Sequence, residues 1–193
     1  MKGWIALAHV IDKLNEVFGK LAVWAAFISC IVSALNAAVR YLFRYLPQDA
    51  GAISQWYQTN ANAWLESQWY LFAVNVLLGA ALVLKVNEHV RVDVLYARYS
   101  ARTKAWVDLL GLIFFLMPGA LLLIWMSWPW FWDSFINNEM SNNSGGLIRW
   151  PVKLLIPLGF GLLSLQGIAE IIKRIAYLRG LYAMDTHYER PLQ

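Results

Sequence analysis

The chain has 193 residues, 60% of them hydrophobic and 15% charged, with a mean hydropathy of +0.47. A soluble domain of this size has too little polar surface to cover that much apolar side chain, so the composition excludes a water-soluble fold and makes a bilayer part of the solvent. The net charge of +4 is scattered over the ends of apolar runs and forms no basic face, which excludes nucleic acid as a partner. A single cysteine, Cys30, lies within an apolar run, leaving neither a disulfide framework nor a cysteine metal site.

Residues 1–20 read as an amphipathic helix. Trp4, Leu7, Ile11, Leu14, Phe18 and Leu21 recur in steps of three and four, with His9, Lys13, Glu16 and Lys20 on the other side. The charges at Asp12, Lys13, Glu16 and Lys20 interrupt any apolar core, so this is not a secretory signal. The helix is expected to lie in the inner headgroup layer before turning into the first span, or to dock a soluble partner.

Four spans follow, at about 21–43, 64–86, 105–132 and 150–176, because a hydrocarbon core about 30 Å thick takes roughly 20 helical residues to cross. In the first, Ala22, Ala26, Cys30, Ala34 and Ala38 form one row of small side chains and Ala25, Ser29, Ser33 and Ala37 the next. Such rows let two backbones approach closely in lipid. The opposite side, Val23, Phe27, Ile31, Leu35 and Val39, suits lipid. Pro118-Gly119 in the third span, and Pro157 with Gly159 and Gly161 in the fourth, are expected to bend their helices. Tryptophans near span ends, including Trp64, Trp69, Trp106 and the Trp125 to Trp132 group, read as interfacial anchors.

Lysine and arginine set the orientation. Lys2, Lys13 and Lys20 precede span 1; Lys85, Arg91, Arg98, Arg102 and Lys104 lie between spans 2 and 3; Lys173, Arg174, Arg179 and Arg190 follow span 4. Only Arg40, Arg44, Arg149 and Lys153 remain for the other side. The positive-inside rule then makes both termini, the middle loop and the 177–193 tail cytoplasmic. The outer segments are Tyr45–Ala63 and Asp133–Arg149, and the Asn137 to Gly146 stretch of the second is expected to be a flexible turn.

Polar groups inside spans each need a reason. Arg40 closes span 1 and Glu66 opens span 2 on the same side, which predicts either an ion pair fixing their register or two independent reaches to the interface. Asn36, Asn75, Ser164 and Gln166 are candidates for hydrogen bonds between helices. Few buried charges are expected. His9, His89 and His187 lie outside the spans, which disfavours haem, and no nucleophile with its base, phosphate loop or HExxH pattern is present. The sequence therefore predicts no enzyme and no cofactor. The lack of a mid-span carboxylate argues against a self-sufficient ion-coupled carrier.

At the end of span 2 the chain reads Leu78-Gly79-Ala80-Ala81, then Glu88-His89-Val90-Arg91-Val92-Asp93. Arg40-Tyr41 ends span 1, Glu66 opens span 2, Trp150-Pro151 opens span 4, and Pro157-Leu158-Gly159 lies within it. This ordered set, covering about 40 to 160, resembles the DctQ-type small membrane subunit of tripartite ATP-independent periplasmic (TRAP) transporters. The segment Gln48 to Ala63 is longer than in the simplest members. The resemblance implies an all-α integral membrane protein of the bacterial inner membrane, a single domain over 1–193. Its partners would be a large DctM-type membrane subunit, a periplasmic substrate-binding protein and membrane lipids. It would brace the large subunit during sodium-coupled uptake of an organic acid, with Arg40, Glu66, Gly79, His89, Arg91, Asp93, Trp150, Pro151, Pro157 and Gly159 as structural or interface residues. His89, Arg91 and Asp93 would order the cytoplasmic loop, cap the next segment or bind anionic headgroups. The alternatives are a membrane anchor of another assembly and a self-contained channel or carrier.

Overall fold

An apolar segment in a medium without hydrogen-bond partners has to satisfy its backbone internally, and a helix does so within one segment. The computed structural model describes residues 2–45, 51–87 and 99–183. Its elements are α1 (Lys2–Tyr45), the short α2 (Gly51–Thr59), α3 (Ala61–Val86), α4 (Ala101–Gly111), a π-helical turn (Leu112–Leu116), α5 (Met117–Ile136) and α6 (Trp150–Leu178). Since α4, the π turn and α5 form one run, four helices among the described residues are long and apolar enough to cross a membrane: Lys2–Tyr45, Ala61–Val86, Ala101–Ile136 and Trp150–Leu178. The Glu88 to Asp93 motif, with His89, Arg91 and Asp93, lies outside the described residues.

Local chemistry sets several boundaries. Asn87 ends α3 in the left-handed conformation, φ 62°, and its N–H donates back to Val83 and Leu84 carbonyls. Ser100 caps α4 by accepting a hydrogen bond from the Thr103 N–H at 3.2 Å. Pro118 has no N–H, and in a regular helix its ring crowds the carbonyl four residues back. The π turn sits immediately before it, with the Met117 N–H reaching Leu112 O, and widens the helix where the ring needs room. Pro157 lies inside α6 without ending it.

The first helix departs from the expected layout. α1 is one helix of 44 residues with no turn near residue 20; at about 1.5 Å per residue it is roughly 66 Å long, twice the thickness of a hydrocarbon core. The reason is in its buried side. Ala8, Ile11, Asp12, Asn15, Gly19, Ala22, Ala25 and Asn36 are buried; of the expected apolar face Ile11 is among them, while Trp4, Leu7, Leu14 and Leu21 are exposed. The seam that packs is mostly small and polar, and it continues through both halves of the helix, so nothing separates an interfacial segment from a span.

α6 is the centre of the assembly. Of its most apolar stretch 44% is buried, against 17% for each of the other three spanning helices. It packs on α1, α3, α4 and α5, and α1 and α3 pack most extensively on each other. One core cluster joins Ala22 of α1, Leu78 and Ala81 of α3 and Leu162 of α6; a second joins Ala8 and Ile11 to Ala169. Only part of the small-residue face of α1 is used here. Ala22 and Ala25 are buried, and the Ser29 and Ser33 hydroxyls donate to Gln68 of α3, whereas Cys30, Ala34, Ala37 and Ala38 stay exposed.

Close backbone approach explains two of the predicted glycines differently. A methyl at Gly159 would sit 2.7 Å from the Leu77 carbonyl oxygen and 2.8 Å from Leu77 Cβ, so α3 and α6 meet there only because no side chain intervenes. At Gly79 the same methyl would meet Ala22 Cβ at 3.5 Å, an ordinary contact. Gly159→Ala should therefore destabilise the protein by about 1–3 kcal/mol, while Gly79→Ala should change stability little. Thermal unfolding of both variants in detergent checks the contrast.

Candidate functional site

Two polar clusters, one toward each end of the helices, hold the side chains that lipid cannot solvate. The first surrounds Glu66, which is 5% exposed. α3 brings it under the loop between α5 and α6, and the loop closes over it. One carboxylate oxygen accepts hydrogen bonds from the Ser141 hydroxyl and from Asn143 Nδ2 at 2.9 Å, and the other accepts the Leu147 N–H at 2.6 Å. Three donors, one of them backbone, fit a carboxylate better than any neutral side chain.

The loop is built for this contact. Met140 and Ile148 form an antiparallel bridge, Ser141 N–H donates to Leu147 O at 3.0 Å, and Arg149 N–H to Glu139 O at 2.8 Å. Asn62 and Tyr70 of α3 donate to the carbonyls of Ser144 and Ile148, each at 2.9 Å. Gly145 has φ 69°, where a side chain is strained, and a methyl on Gly146 would meet a Glu66 carboxylate oxygen at 2.9 Å. Beyond the turn, Lys153 pairs with Glu139 and lies 4.3 Å from the centre of the Trp130 ring. That ammonium holds the Glu139 carboxyl below its usual range. The Asn137 to Gly146 stretch is thus a defined cap, not the flexible turn its composition suggests.

Of the two readings open for Arg40 and Glu66, the ion pair is not seen among the described residues. Glu66 bonds to the loop, and Arg40 is exposed near the C-terminal end of α1. The carboxylate takes neutral donors because the loop wraps over α3 and reaches it first.

Of the second cluster, sequence reasoning named Gln166 alone. Gln166, fully buried on α6, accepts from Asn15 Nδ2 at 2.8 Å and donates to Asp12 at 2.9 Å and to Glu170 at 3.2 Å. Lys173 bridges Asp12 at 2.7 Å and Glu170 at 2.9 Å. Arg174 pairs with Glu170 and reaches Asp108 of α4 at 3.3 Å. The network ties α1, α4 and α6 together, and it corrects the expectation of few buried charges. A signal was present: Gln166, Glu170, Lys173 and Arg174 share one helical face at spacings of three and four, as do Asp12 and Asn15. Lys173 and Arg174 had been counted only as cytoplasmic charge.

The remaining predicted residues serve packing. Trp150 meets Phe135 edge to face, with centroids 5.3 Å apart; Pro151 is in the first turn of α6, where its missing N–H costs nothing; Pro157 and Gly159 are buried on α6. Of the candidate interhelical polar groups, Asn36 accepts from the Tyr57 hydroxyl, Asn75 donates to Ala22 O at 3.0 Å and Gln166 bonds as above. Ser164 bonds back to Phe160 O within its own helix. Among the described residues no group of three or more histidine, cysteine, aspartate or glutamate side chains converges to hold a metal.

Replacing Glu66 by leucine leaves the Leu147 N–H and two side-chain donors without an acceptor, and should loosen the loop at a cost of about 2–4 kcal/mol. Exchanging the residues at positions 40 and 66 should give no rescue; hydrogen exchange at the Leu147 amide reads both. At the other cluster, Glu170→Ala leaves Lys173 with Asp12 alone and Arg174 with Asp108 alone, and should cost about 3 kcal/mol, seen as a lower unfolding temperature in detergent.

Comparison with known proteins places these features in a family. The family model described as tripartite ATP-independent periplasmic transporters, DctQ component, matches residues 29–176. The match takes in Glu66 with its capping loop and the Gln166 to Arg174 face of α6. No curated protein and no solved structure matches the chain. With most of its length covered by that model, the chain belongs to the DctQ family, the small membrane component of tripartite ATP-independent periplasmic transporters.

Proposed function

We propose that this chain is a scaffold subunit that braces the large membrane subunit during sodium-coupled, binding-protein-dependent uptake of an organic acid. It does not itself carry solute. The observation that supports this most is that its buried charged groups are paired within the protein. Asp12, Glu170, Lys173 and Arg174 form one network with Asn15 and Gln166, and Glu66 is engaged by the loop. A transport pathway needs polar groups that can exchange partners with a solute or a coupling ion. A frame needs the reverse: interior polar bonds that do not open, and broad apolar flanks to pack on a neighbour or on lipid.

The flanks fit that role. Large apolar side chains are exposed along α1, the π turn and α5, among them Trp24, Phe27, Leu35, Phe114, Phe115, Leu121 and Trp125. In our reading the protein sits in the bacterial inner membrane with both termini cytoplasmic, as the lysine and arginine distribution favours. The loop over Glu66 then faces the periplasm, where the binding protein docks. His89, Arg91 and Asp93 order the cytoplasmic segment between spans 2 and 3, and Arg40, Gly79, Trp150 and Pro151 contribute to assembly.

Purification in mild detergent should bring a large polytopic membrane protein with this chain, and liposomes holding this chain alone should take up no organic acid. Solute flux through the isolated chain would refute the scaffold role. Arg91→Ala should lower the amount of assembled complex; a normal amount of complex with abolished transport would instead assign Arg91 a direct part.

A further inference from the structure

The outer ends of α1 and α3 enclose a groove of about 590 Å³, lined by Ser33, Asn36, Arg40, Tyr41, Arg44 and Gln68, with Ala37 and Leu65. Its chemistry is one-sided. Arg40 and Arg44 are one turn apart on α1, both exposed, and neither forms an ion pair among the described residues. Among the described residues no carboxylate lines the groove. The nearest acidic residue along the chain after Arg44, Asp49, lies outside the described residues. Gln68 adds a second sign of a missing acceptor. Its side-chain oxygen is taken by the Ser33 hydroxyl at 3.0 Å, and its Nε2 is buried with no hydrogen-bond partner. Buried amide nitrogens are rarely left so.

We infer that this groove binds an oxyanion, the phosphodiester of a phospholipid headgroup, through Arg40 and Arg44 with Gln68 at its wall. Two guanidiniums suit a phosphate, whose oxygens accept paired N–H donors. The depth points to lipid as the source. The charge-free run from Leu21 to Val39 is long enough to cross a hydrocarbon core of about 30 Å, which sets Arg40 at headgroup level one step beyond it. Next to the groove, Leu35, Tyr41 and Leu42 are exposed, giving acyl chains an apolar track along α1. The inference stands apart from the scaffold reading, since it concerns only this chain and its lipid.

The test uses the purified full chain in a neutral detergent, with phosphatidylglycerol and inorganic phosphate as separate probes. Native mass spectrometry counts bound lipid, and thermal unfolding reports stabilisation. Phosphatidylglycerol should be retained and should raise the unfolding temperature, whereas inorganic phosphate at equal concentration should not. The double variant Arg40→Ala, Arg44→Ala should bind the lipid about tenfold more weakly with unchanged far-ultraviolet circular dichroism. Ala37→Trp, which fills the groove and keeps both charges, should weaken binding likewise. Equal stabilisation by inorganic phosphate would overturn the headgroup assignment in favour of a free oxyanion. Undiminished lipid retention in both variants would overturn the site itself. Loss of co-purification with the large subunit in the arginine variant, with lipid binding intact, would assign the two arginines to a carboxylate of that partner and also overturn the proposal.

Discussion

A polar group placed inside a bilayer has only the protein to bond to, and that constraint decides how these helices are arranged. Gln166 shows it most directly: fully buried on the central helix, it can be satisfied only by side chains from other turns and other helices, and Asn15, Asp12 and Glu170 supply them. Each such bond contributes about 1 kcal/mol or less, but the cost of leaving the group unbonded is larger. The network therefore selects one register of α1 against α6 more than it adds stability. Lys173 adds a bond from α6 to Asp12 of α1, and Arg174 extends the same selection to α4 through Asp108.

Charge and geometry cooperate at the opposite end. Glu66 is held by a folded loop, so the segment joining α5 to α6 is tied to α3, an element it does not follow in sequence. The two clusters act at different places along α6, one near its start and one near its end, and between them the close contacts at Gly159 and around Ala22, Leu78 and Leu162 fill the middle. A helix fixed at both ends and packed at its centre has little freedom to tilt. That stiffness suits the scaffold role proposed above.

The small seam of α1 and the mass of exposed aromatic and aliphatic side chains are two sides of one economy. In water the large apolar residues go inside; in lipid they lose nothing by facing outward, and the interior is left to residues that let backbones approach or that bond to each other. Ala8, Gly19, Ala22 and Ala25 do the first, Asp12, Asn15 and Asn36 the second.

From the amino-acid sequence by itself, the membrane class, the four spans and the family were legible, because each rests on local quantities: the length of apolar runs, the placement of charge and short motifs in order. The close packing at Gly159 was visible only as a suspicion of a bend. Tertiary structure decided which polar groups meet. Equal depth at the outer interface made Arg40 and Glu66 look like partners, yet depth says nothing about azimuth or about a loop arriving from the far side. The first 20 residues show the same limit: the spacing of their large apolar side chains marks a face for the headgroup layer, whereas Ala8, Ile11, Asp12 and Asn15 are what the helix buries against α6. Which face of a membrane helix turns inward depends on the neighbour it finds, and that neighbour lies some 150 residues away along the chain, at Gln166 and Lys173.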